Sequence, residues 1–407
     1  MLTLIALSLS KAEAQEKLSL DSLIQVIKRD NPELKVFDEQ VKSENAKIEG
    51  ASAWMAPNVG LGTFMTPYNN FSRPGSQQDG SLMFTAEQKI PNASNLKAQK
   101  EFLSAQAAVT LQSRAENFNQ LRAIARSVYL DVLVLNQELN YDRQNLVILQ
   151  NLKKLAEIRY TYNQADLAQI YQMDAKIYQL ANKISNTKSN INVGKIKLNT
   201  LMNKPQQSVL ELDSTFDESA IFKTESELAV SQNRSIAKQY DAKITSLSLE
   251  NKLIASTAKP EFNIQFNHMI TYNTSMPNQF SLIAGISIPF APWAAKSYQS
   301  KLKVNAFEQD AILQEKQSFI NNNIGLIKTQ EERLGNLKTE RAVYQKNIIP
   351  ALQKSYEANL LNYQENKADL KTVLDAWKDL NDGELAYLEL LNNYYQTLAD
   401  YGKNVER

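Results

Sequence analysis

The chain has 407 residues and a formal net charge of +1, so it has no global field that would recruit nucleic acid or an acidic substrate. It contains no cysteine, which excludes disulfides, thiolate metal ligands and a lipid-modified N-terminal cysteine. Glycine and proline, with 11 residues each, are about half as frequent as usual, which is typical of long uninterrupted helices.

Residues 1–14 are predicted to be a secretory signal peptide. Residues 2–9 form a short apolar core, and Ala12-Glu13-Ala14 has the small residues of a cleavage site. The basic segment that precedes such a core is absent, so the true start is expected upstream; a frayed N-terminal helix is the alternative. No window reaches the roughly 18 apolar residues that a membrane-spanning helix needs, so entry into a membrane would have to use strands.

Two helices are predicted next. Residues 18–30 have the spacing of an amphipathic helix, with these apolar residues on one face: Leu20, Leu23, Val26 and Ile27. Asn31 is then expected to cap a second helix, which has Pro32 at its first position and runs to about residue 53.

A pair of strands follows, at about residues 58–66 and 81–90, with a polar loop between them. Nine or ten residues is about the length that a tilted strand needs to cross a bilayer. Trp54 lies just before the first strand and is expected at the membrane interface. Ordinary packing where a helix meets a sheet is the alternative for this tryptophan.

A very long helix is predicted at about residues 94–161, and at 1.5 Å per residue it would span roughly 100 Å. The first turn, residues 160–167, then reads Tyr-Thr-Tyr-Asn-Gln-Ala-Asp-Leu. Asn163 suits this turn, because asparagine tolerates the left-handed backbone conformation that ends many helices.

The residues after this turn repeat in heptads. The positions that recur every seven residues are Ile170, Ile177, Ile184, Ile191 and Leu198. The positions three residues further on are Met173, Leu180, Thr187, Gly194 and Leu201. A pattern sustained over more than four heptads predicts a coiled-coil helix wound against a partner. Residues 15–203 are therefore predicted to form one structural repeat, and residues 204–231 a non-periodic linker.

Residues 232–407 repeat this order. A helix is expected from Asn233 to about residue 258, followed by strands at about 261–269 and 280–288. Trp293 lies just after the last strand and is the second expected interface tryptophan. A second long helical stretch covers residues 294–362, and Pro350 is expected to kink it or to cause a local defect.

The second turn, residues 363–370, repeats the Tyr, Asn, Ala, Asp and Leu of the first turn 203 residues later. An internal repeat at about half the chain length indicates a duplicated unit. The heptad phase also returns after the second turn, at Val373, Leu380, Tyr387, Tyr394 and Tyr401.

This duplicated order resembles the TolC-type family of outer-membrane efflux channels over nearly the whole mature chain. The residues that carry the resemblance are segment 20–34, the junctions of Pro57 and Pro260 with the following strands, and the two turns. The resemblance implies a mainly α fold with a small β part. Each of three chains would give four antiparallel transmembrane strands to one twelve-stranded barrel, and the long helices would form a hollow coiled-coil barrel. Two hairpins cannot close a sheet, and open edges do not occur in lipid, so a spanning sheet requires an oligomer.

The function that the resemblance implies is a passive export duct in the outer membrane of a Gram-negative bacterium, extending into the periplasm. Its partners would be two further copies of the chain, outer-membrane lipid, a periplasmic adaptor (membrane fusion protein) and an inner-membrane pump, with no nucleic acid. The two turns would form a gated periplasmic tip. The implied tip and gate residues are Tyr160, Asn163, Asp166, Tyr363, Asn366, Asp369 and Asp375.

One departure from the family affects the gate. Between Tyr363 and Asp375 the family often has a basic residue and a second acid, and this chain has Ala368 and Thr372 there. A salt-bridged latch is therefore not expected. A ring of Asp375 carboxylates, helped by Asp369, would favour cations instead. The alternative is that both residues are ordinary acids that complement the dipole at a helix N-terminus.

No catalytic, cofactor or metal site is predicted. His268 is the single histidine and has no cysteine or histidine partners in the sequence, which makes a metal site there improbable. No phosphate-binding glycine loop and no nucleophile elbow is present. Met65, Met83 and Met269 are interpreted as barrel residues rather than as a copper relay.

A periplasmic coiled-coil adaptor or a soluble scaffold protein is the alternative function. An adaptor would have one helical hairpin flanked by glycine-rich β domains, whereas this chain has two hairpins and little glycine. A scaffold would leave the proline-bounded strand pairs unexplained. For the exported substrate, metal ions, drugs and proteins remain alternatives, and the short chain faintly favours the heavy-metal branch.

Overall fold

A computed structural model describes residues 17–68, 80–162, 165–222, 225–272, 275–289 and 291–407. The protein is mainly helical with one four-stranded sheet, as predicted. The chain divides into two compact units. The helical unit comprises Met1–Lys35, Glu116–Arg234 and Ile320–Arg407, and the sheet unit comprises Val36–Ala115 and Ser235–Phe319. The predicted signal peptide, residues 1–14, lies outside the described residues.

The sheet consists of β1 (Asn58–Phe64), β2 (Ser81–Ile90), β3 (Phe262–Thr271) and β4 (Gln279–Ile286). The strands are antiparallel and lie in the order β1-β2-β3-β4, so β1 and β4 are the two edges. β1 is shorter than predicted, because Met65 has φ of 54° and this left-handed conformation ends the extended backbone. β3 and β4 are displaced by one or two residues from their predicted ends.

One face of the sheet is apolar and exposed. The register aligns Leu61, Phe84, His268 and Phe280 across the four strands, so the single histidine lies on this apolar face. Leu61 is 66% exposed, and Phe280 is 71% exposed. The opposite face is polar at the neighbouring position, where Thr85, Asn267 and Ser281 are aligned and the Asn267 amide donates to the Ser281 hydroxyl at 3.0 Å. The sheet therefore has the two-sided character that alternation in β3 predicts.

The sheet unit also contains parts of four helices. They belong to α2 (Pro32–Gly50), α3 (Ala93–Tyr160), α6 (Ser235–Ser256) and α7 (Pro292–Val343). Asn31 caps α2 as predicted, since its side-chain oxygen accepts from the Glu33 amide at 2.9 Å. Among the described residues, no helix combines the length and the apolar character needed to cross a membrane.

The helical unit contains the rest of α3 and α7 together with α1 (Leu20–Asp30), α4 (Leu167–Leu201), α5 (Glu227–Asn233), α8 (Ile349–Gln364) and α9 (Leu370–Asn404). α1 begins at Leu20 rather than at residue 18, because Ser19 caps it and Leu18 pairs with Leu212 in a parallel bridge. The segment predicted as a non-periodic linker, residues 204–231, is partly ordered. It contains this bridge, a 3-10 turn at Glu218–Ile221 and the start of α5.

The heptad positions form the core of this unit. In α4 all of the predicted positions are buried except Ile177 and Leu201, which are half-buried. In α9 the predicted positions are all buried: Val373, Leu380, Tyr387, Tyr394 and Tyr401. Gly194 lies where a Cβ atom would collide with the side chain of Val132 in α3, so glycine permits the close approach of these helices.

Pro350 has the predicted effect on the second long helix. A π-helical turn, Tyr344–Ile348, separates α7 from α8 just before this proline. The Ile349 amide donates to the Tyr344 carbonyl, five residues back. Since proline has no N–H group and its ring clashes with the carbonyl four residues earlier, the regular ladder is interrupted at this point.

Candidate functional site

The first turn joins α3 to α4 and exposes its aromatic residues. Tyr160 is 44% exposed and Tyr162 is 71% exposed. Two further tyrosines on the start of α4, Tyr171 and Tyr178, are also exposed. Asn163 lies outside the described residues, so its predicted left-handed conformation stays a prediction. The end of the first helical hairpin thus presents an aromatic surface.

The second turn joins α8 to α9 and is closed by backbone hydrogen bonds. Asn366 has φ of 60°, as predicted from its residue type. Its amide donates to the Tyr363 carbonyl at 3.1 Å, and the Lys367 amide donates to the Asn362 carbonyl at 2.8 Å. This pair of bonds is a Schellman motif, which satisfies the last carbonyls of α8.

Arg159, in the last turn of α3, connects the two turns. Its guanidinium donates to the Asn366 side-chain oxygen at 2.6 Å and to the Gln364 carbonyl at 3.3 Å. The same group lies over the Tyr363 ring, 4.0 Å from its centroid. We call these three contacts the arginine clasp. A charge-assisted hydrogen bond contributes about 1.5–3 kcal/mol and an exposed cation–π contact about 0.5–1 kcal/mol, so the clasp contributes about 2–4 kcal/mol.

Tyr363 is the buried member of the clasp. It is 2% exposed, whereas Tyr160, its counterpart in the first turn, is not buried. Burial raises the pKa of the Tyr363 hydroxyl, and the nearby Arg159 charge opposes this shift. The Tyr363 ring belongs to a hydrophobic cluster that also contains Leu370, Val373 and Trp377 of α9. The clasp therefore lies at the end of a hydrophobic cluster that α3 and α4 of the first hairpin share with α8 and α9 of the second.

An open cavity of about 1230 Å³ lies between the two turns. Arg159 and Lys367 give it two positive charges, and Asp166 and Asp369 give it two negative charges. The cavity is thus polar and balanced in charge, which suits water or a polar segment of a partner better than an apolar ligand.

The two predicted tip aspartates are helix caps. The Asp166 side chain accepts from the Ala168 amide at 3.1 Å. Asp369 accepts from the Thr372 amide at 2.9 Å and from its hydroxyl at 2.5 Å. These bonds to Thr372 lower the pKa of the exposed Asp369 carboxyl. For Asp369, this position fits the alternative interpretation of an acid at a helix N-terminus, and Asp166 lies at the start of α4 in the same way.

Asp375 does not line the cavity, and its side chain is exposed on α9. Asp379 and Asp382 are exposed on the same side of this helix, four and seven residues further along. The structure thus places Asp375 in an acidic row that faces away from the hydrophobic cluster.

Further along the hairpins, three polar side chains connect α3 to α9. The Asn145 amide donates to the Glu384 carboxylate at 2.7 Å, and the Trp377 indole donates to the Asn145 oxygen at 2.8 Å. Asn145 is 1% exposed, and Glu384 is 8% exposed. Burial raises the pKa of Glu384, while the bond from Asn145 opposes the shift. A buried polar network of this kind specifies one arrangement of the helices that it joins.

A second buried acid joins α3 to α4. Asp142 accepts from the Lys183 ammonium at 2.9 Å, and Glu138 forms an ion pair with the same lysine at 3.0 Å. Burial raises the pKa of Asp142, and Lys183 opposes this shift.

Several of these residues were not predicted as site residues. Arg159 has no counterpart in the second turn, where Asn362 occupies the repeated position. In the sequence, Arg159 stands out only as a basic residue in the last turn of a helix, and basic residues are common at that position. Asn145 and Glu384 lie in long helices that carry many polar and charged residues, so their residue types alone do not indicate that they are buried.

The two predicted interface tryptophans are both in the sheet unit and both exposed. Trp54 is 60% exposed and lies four residues before β1. Trp293 is 84% exposed and lies seven residues after β4. Neither residue is packed as a helix–sheet contact, which was the alternative.

Within residues 17–68, 80–162, 165–222, 225–272, 275–289 and 291–407, no group of three or more His, Asp or Glu side chains is arranged to hold a metal ion.

Comparisons with solved structures identify the fold. The outer-membrane channel OprN has a TM-score of 0.75 at 13% identity, with 95% of this chain and 89% of OprN aligned. For the outer-membrane protein VceC of Vibrio cholerae the TM-score is 0.71 at 14% identity, covering 93% of this chain and 94% of VceC. For the MtrE outer-membrane channel of Neisseria gonorrhoeae, in its open state, the TM-score is 0.70 at 14% identity. This alignment covers 95% of this chain and 88% of MtrE.

These matches confirm the predicted resemblance at the level of the fold, because all three cover nearly the whole of both chains. No protein-family model matches the sequence, and no curated protein sequence is significantly similar to it. The likeness is therefore one of structure, at sequence identities too low to transfer residue roles.

Proposed function

We propose that the protein is the outer-membrane channel of a tripartite efflux or secretion system in a Gram-negative bacterium. The observation that carries this proposal is the sheet, with two open edges and an exposed apolar face on a fold otherwise matched to outer-membrane channels. Such a sheet is stable in lipid only if its edges pair with other strands. Three copies would supply the twelve strands of a closed barrel.

Transport through this channel would be passive. The apolar face of the sheet would contact outer-membrane lipid, and its polar face would line an aqueous path. An inner-membrane pump would provide the energy, and a periplasmic adaptor would connect that pump to the tip. The exposed tyrosines of the first hairpin support an adaptor contact, since aromatic residues are enriched in protein interfaces.

The arginine clasp is proposed as part of the gate at this tip. It holds the first turn against the second with contacts worth a few kcal/mol. A gate of this strength stays closed at rest and opens when a partner supplies comparable binding energy. In place of the salt-bridged latch of the family, which is not expected here, the proposed gate uses an arginine–amide and an arginine–ring contact.

Detergent extraction and conductance test the channel. The full chain should require detergent for extraction, have the mass of a trimer, and form ion-conducting pores in planar lipid bilayers. A protein that stays monomeric and soluble without detergent would instead support the adaptor or scaffold alternative and would rule out the channel.

Substitution of the clasp arginine tests the gate separately. Arg159→Ala should increase single-channel conductance or open probability, because loss of about 2 kcal/mol shifts an equilibrium by about thirtyfold. Lys154→Ala is the matched control, since it removes one positive charge from the exposed surface of the same end of α3. If both variants conduct like the wild type, the clasp is not the gate, although the protein can still be a channel.

Asp375 is proposed to set a preference for cations, together with Asp369. In a threefold assembly the exposed acids of α9 would form rings of carboxylates. Asp375→Asn should shift the reversal potential in a KCl gradient towards the value of an unselective pore. Asp310→Asn, at an exposed position of α7, should leave this potential unchanged.

A further inference from the structure

A basic pocket lies in the sheet unit, where α3 begins and α6 ends. It has a volume of about 400 Å³, and its lining includes Lys97, Lys252 and Lys259 together with the hydroxyls of Ser94 and Ser256. Glu101 is the single acid among its lining residues. The pocket therefore combines three ammonium groups and two hydroxyls with an excess of positive charge.

The side chains of this pocket are held in place from both helices. The Lys259 ammonium donates to the Ser94 hydroxyl at 2.7 Å, and the Asn95 amide donates to the Ser256 hydroxyl at 2.8 Å. The nearest carboxylate to Lys97 is Glu101, at 4.0 Å. Lys252 has no ion pair within the part of the chain that the structure describes. The ammonium groups are thus available to an anion.

The pocket lies at one end of the sheet. Ile90 pairs with Phe262 in the last pair of β2 and β3 at that end. Ser94 follows Ile90 by four residues, and Lys259 precedes Phe262 by three. Along the chain, the apolar face of the sheet therefore ends within a few residues of Ser94 and Lys259, and Phe262 is 54% exposed at this end.

The two exposed tryptophans mark the same end. The register aligns the start of β1 with the last residues of β2, and it pairs Phe262 with Ile286 at the end of β4. Trp54 precedes β1 and Trp293 follows β4, so both flank the sheet end that carries the pocket. An exposed apolar surface bounded by tryptophans and lysines has the composition of a membrane–water interface.

We propose that this pocket binds the phosphate of an anionic phospholipid headgroup, an inference that rests on the proposed insertion of the sheet into a membrane. The lysine ammonium groups would contact the phosphate, and the Ser94 hydroxyl would donate to one of its oxygens, whereas the Ser256 hydroxyl already donates to the Leu253 carbonyl. The acyl chains would lie along the exposed apolar face beside Phe262. A free phosphate ion would use the lysines but would gain nothing from this apolar surface.

Lipid binding to the purified full chain in detergent tests the pocket. Native mass spectrometry would measure adducts of phosphatidylglycerol, with phosphatidylcholine as the zwitterionic comparison. Lys252→Gln combined with Lys259→Gln should weaken phosphatidylglycerol binding about thirtyfold, which is about fivefold for each lysine. Lys252→Arg with Lys259→Arg should keep most of the affinity, since it keeps both charges.

Lys338→Gln with Lys354→Gln is the matched control, because it removes two exposed lysines from the helical unit. If this control weakens binding as much as the pocket variant does, the effect is one of net charge and the pocket assignment is overturned. Inorganic phosphate at millimolar concentration should not displace the lipid; displacement would identify a free-anion site and overturn the lipid assignment.

Membrane insertion of the wild type and of the pocket variant is measured separately, by reconstituting each protein into liposomes and testing whether it floats with them in a density gradient. Wild type and pocket variant should both float. If neither floats, the proposed channel function fails. If both float and bind phosphatidylglycerol equally, the sheet inserts and only the headgroup site is refuted.

Discussion

The two turns of the helical unit share a sequence pattern but not an environment. Tyr160 of the first turn is 44% exposed, and Tyr363 of the second is 2% exposed. Arg159 extends from the first hairpin to the second turn, while the equivalent position of the second hairpin is Asn362. The aspartate caps are alike among the described residues of the two turns, since Asp166 and Asp369 both accept from amides at the start of a helix.

This difference gives the two duplicated turns different surroundings. Both hairpins contribute to one hydrophobic cluster, in which Tyr363 is buried, and the clasp adds a polar contact between the two turns. The first hairpin leaves its tyrosines exposed, so it is the half with surface available for a partner. Four substitution experiments test this asymmetry, and their expected effects range from large to small.

The largest difference is expected between the two tyrosines. Tyr363→Ala should destabilise the protein by about 3–5 kcal/mol, because it removes a buried ring and the partner of Arg159. Tyr160→Ala should cost no more than about 0.5 kcal/mol, as an exposed substitution. Thermal unfolding of the two variants followed by circular dichroism makes the comparison, and equal losses of stability would contradict the asymmetry.

The clasp arginine should have the next largest effect. Arg159→Ala should lower the free energy of unfolding by about 2 kcal/mol, since it loses a charge-assisted bond and the ring contact. Lys154→Ala should be nearly neutral at its exposed position. Denaturant titration of both variants measures the difference. A loss of similar size in Lys154→Ala would mean that the charge of this helix end, rather than the clasp, is stabilising.

The caps should behave alike, in contrast to the tyrosines. Asp166→Ala and Asp369→Ala should each lower the free energy of unfolding by about 1 kcal/mol, because each removes one bond from a backbone amide at a helix N-terminus. Asp369→Ala also removes the bond from the exposed Thr372 hydroxyl. The lowered pKa of Asp369 adds a pH dependence: its contribution is present above the ordinary carboxyl pKa and is lost as pH falls through the lowered value. Thermal unfolding as a function of pH measures the loss of stability in each variant and the pH dependence of the Asp369 contribution. If one cap variant loses several times more free energy of unfolding than the other, the two turns also differ in the strength of their helix caps.

The smallest effect is expected at Glu384, whose counterpart in the first hairpin is the exposed Ala181. Burial raises its pKa, so the folded state holds a proton more tightly than the unfolded state and stability falls as pH rises through the raised value. Glu384→Gln keeps an acceptor for Asn145 and removes the buried charge. It should slightly raise the melting temperature at pH 8 and have no effect near pH 3, where the acid is protonated in both states.

Asn145→Ala is the comparison variant that breaks this hydrogen-bond network, because it leaves the Glu384 carboxylate and the Trp377 indole without their partner. It should lower the melting temperature at both pH values. A destabilising effect of Glu384→Gln at pH 8 would show that the charge itself holds the hairpins together.

Much of the fold could be predicted because it follows from local chemistry. The heptads predicted the buried faces of α4 and α9. The asparagine at position 366 predicted a left-handed backbone conformation in the turn, and Pro350 predicted the defect in the second long helix. In each case a residue type acts on its own backbone or at a fixed helical spacing. The strand ends were less accurate, because the conformation of a residue such as Met65 depends on the loop that follows it.

The candidate site was predicted only in part. The repeat predicted the two turns. It did not predict Arg159, because the partners of this arginine lie more than 200 residues away in the sequence. The burial of Glu384 and Asn145 likewise depends on which helices pack together.

The sequence by itself determined the duplicated order of helices and strands, the periodic faces that pack, and the turn residues, since these depend on neighbours within a few positions. Only the tertiary structure decided that one repeated tyrosine is buried and the other exposed, and that an arginine without a repeat joins the two turns. The physical reason is that the environment of each turn is set by contacts with residues far away in the sequence, such as the contact of Arg159 with Asn366, and a local pattern does not contain these contacts.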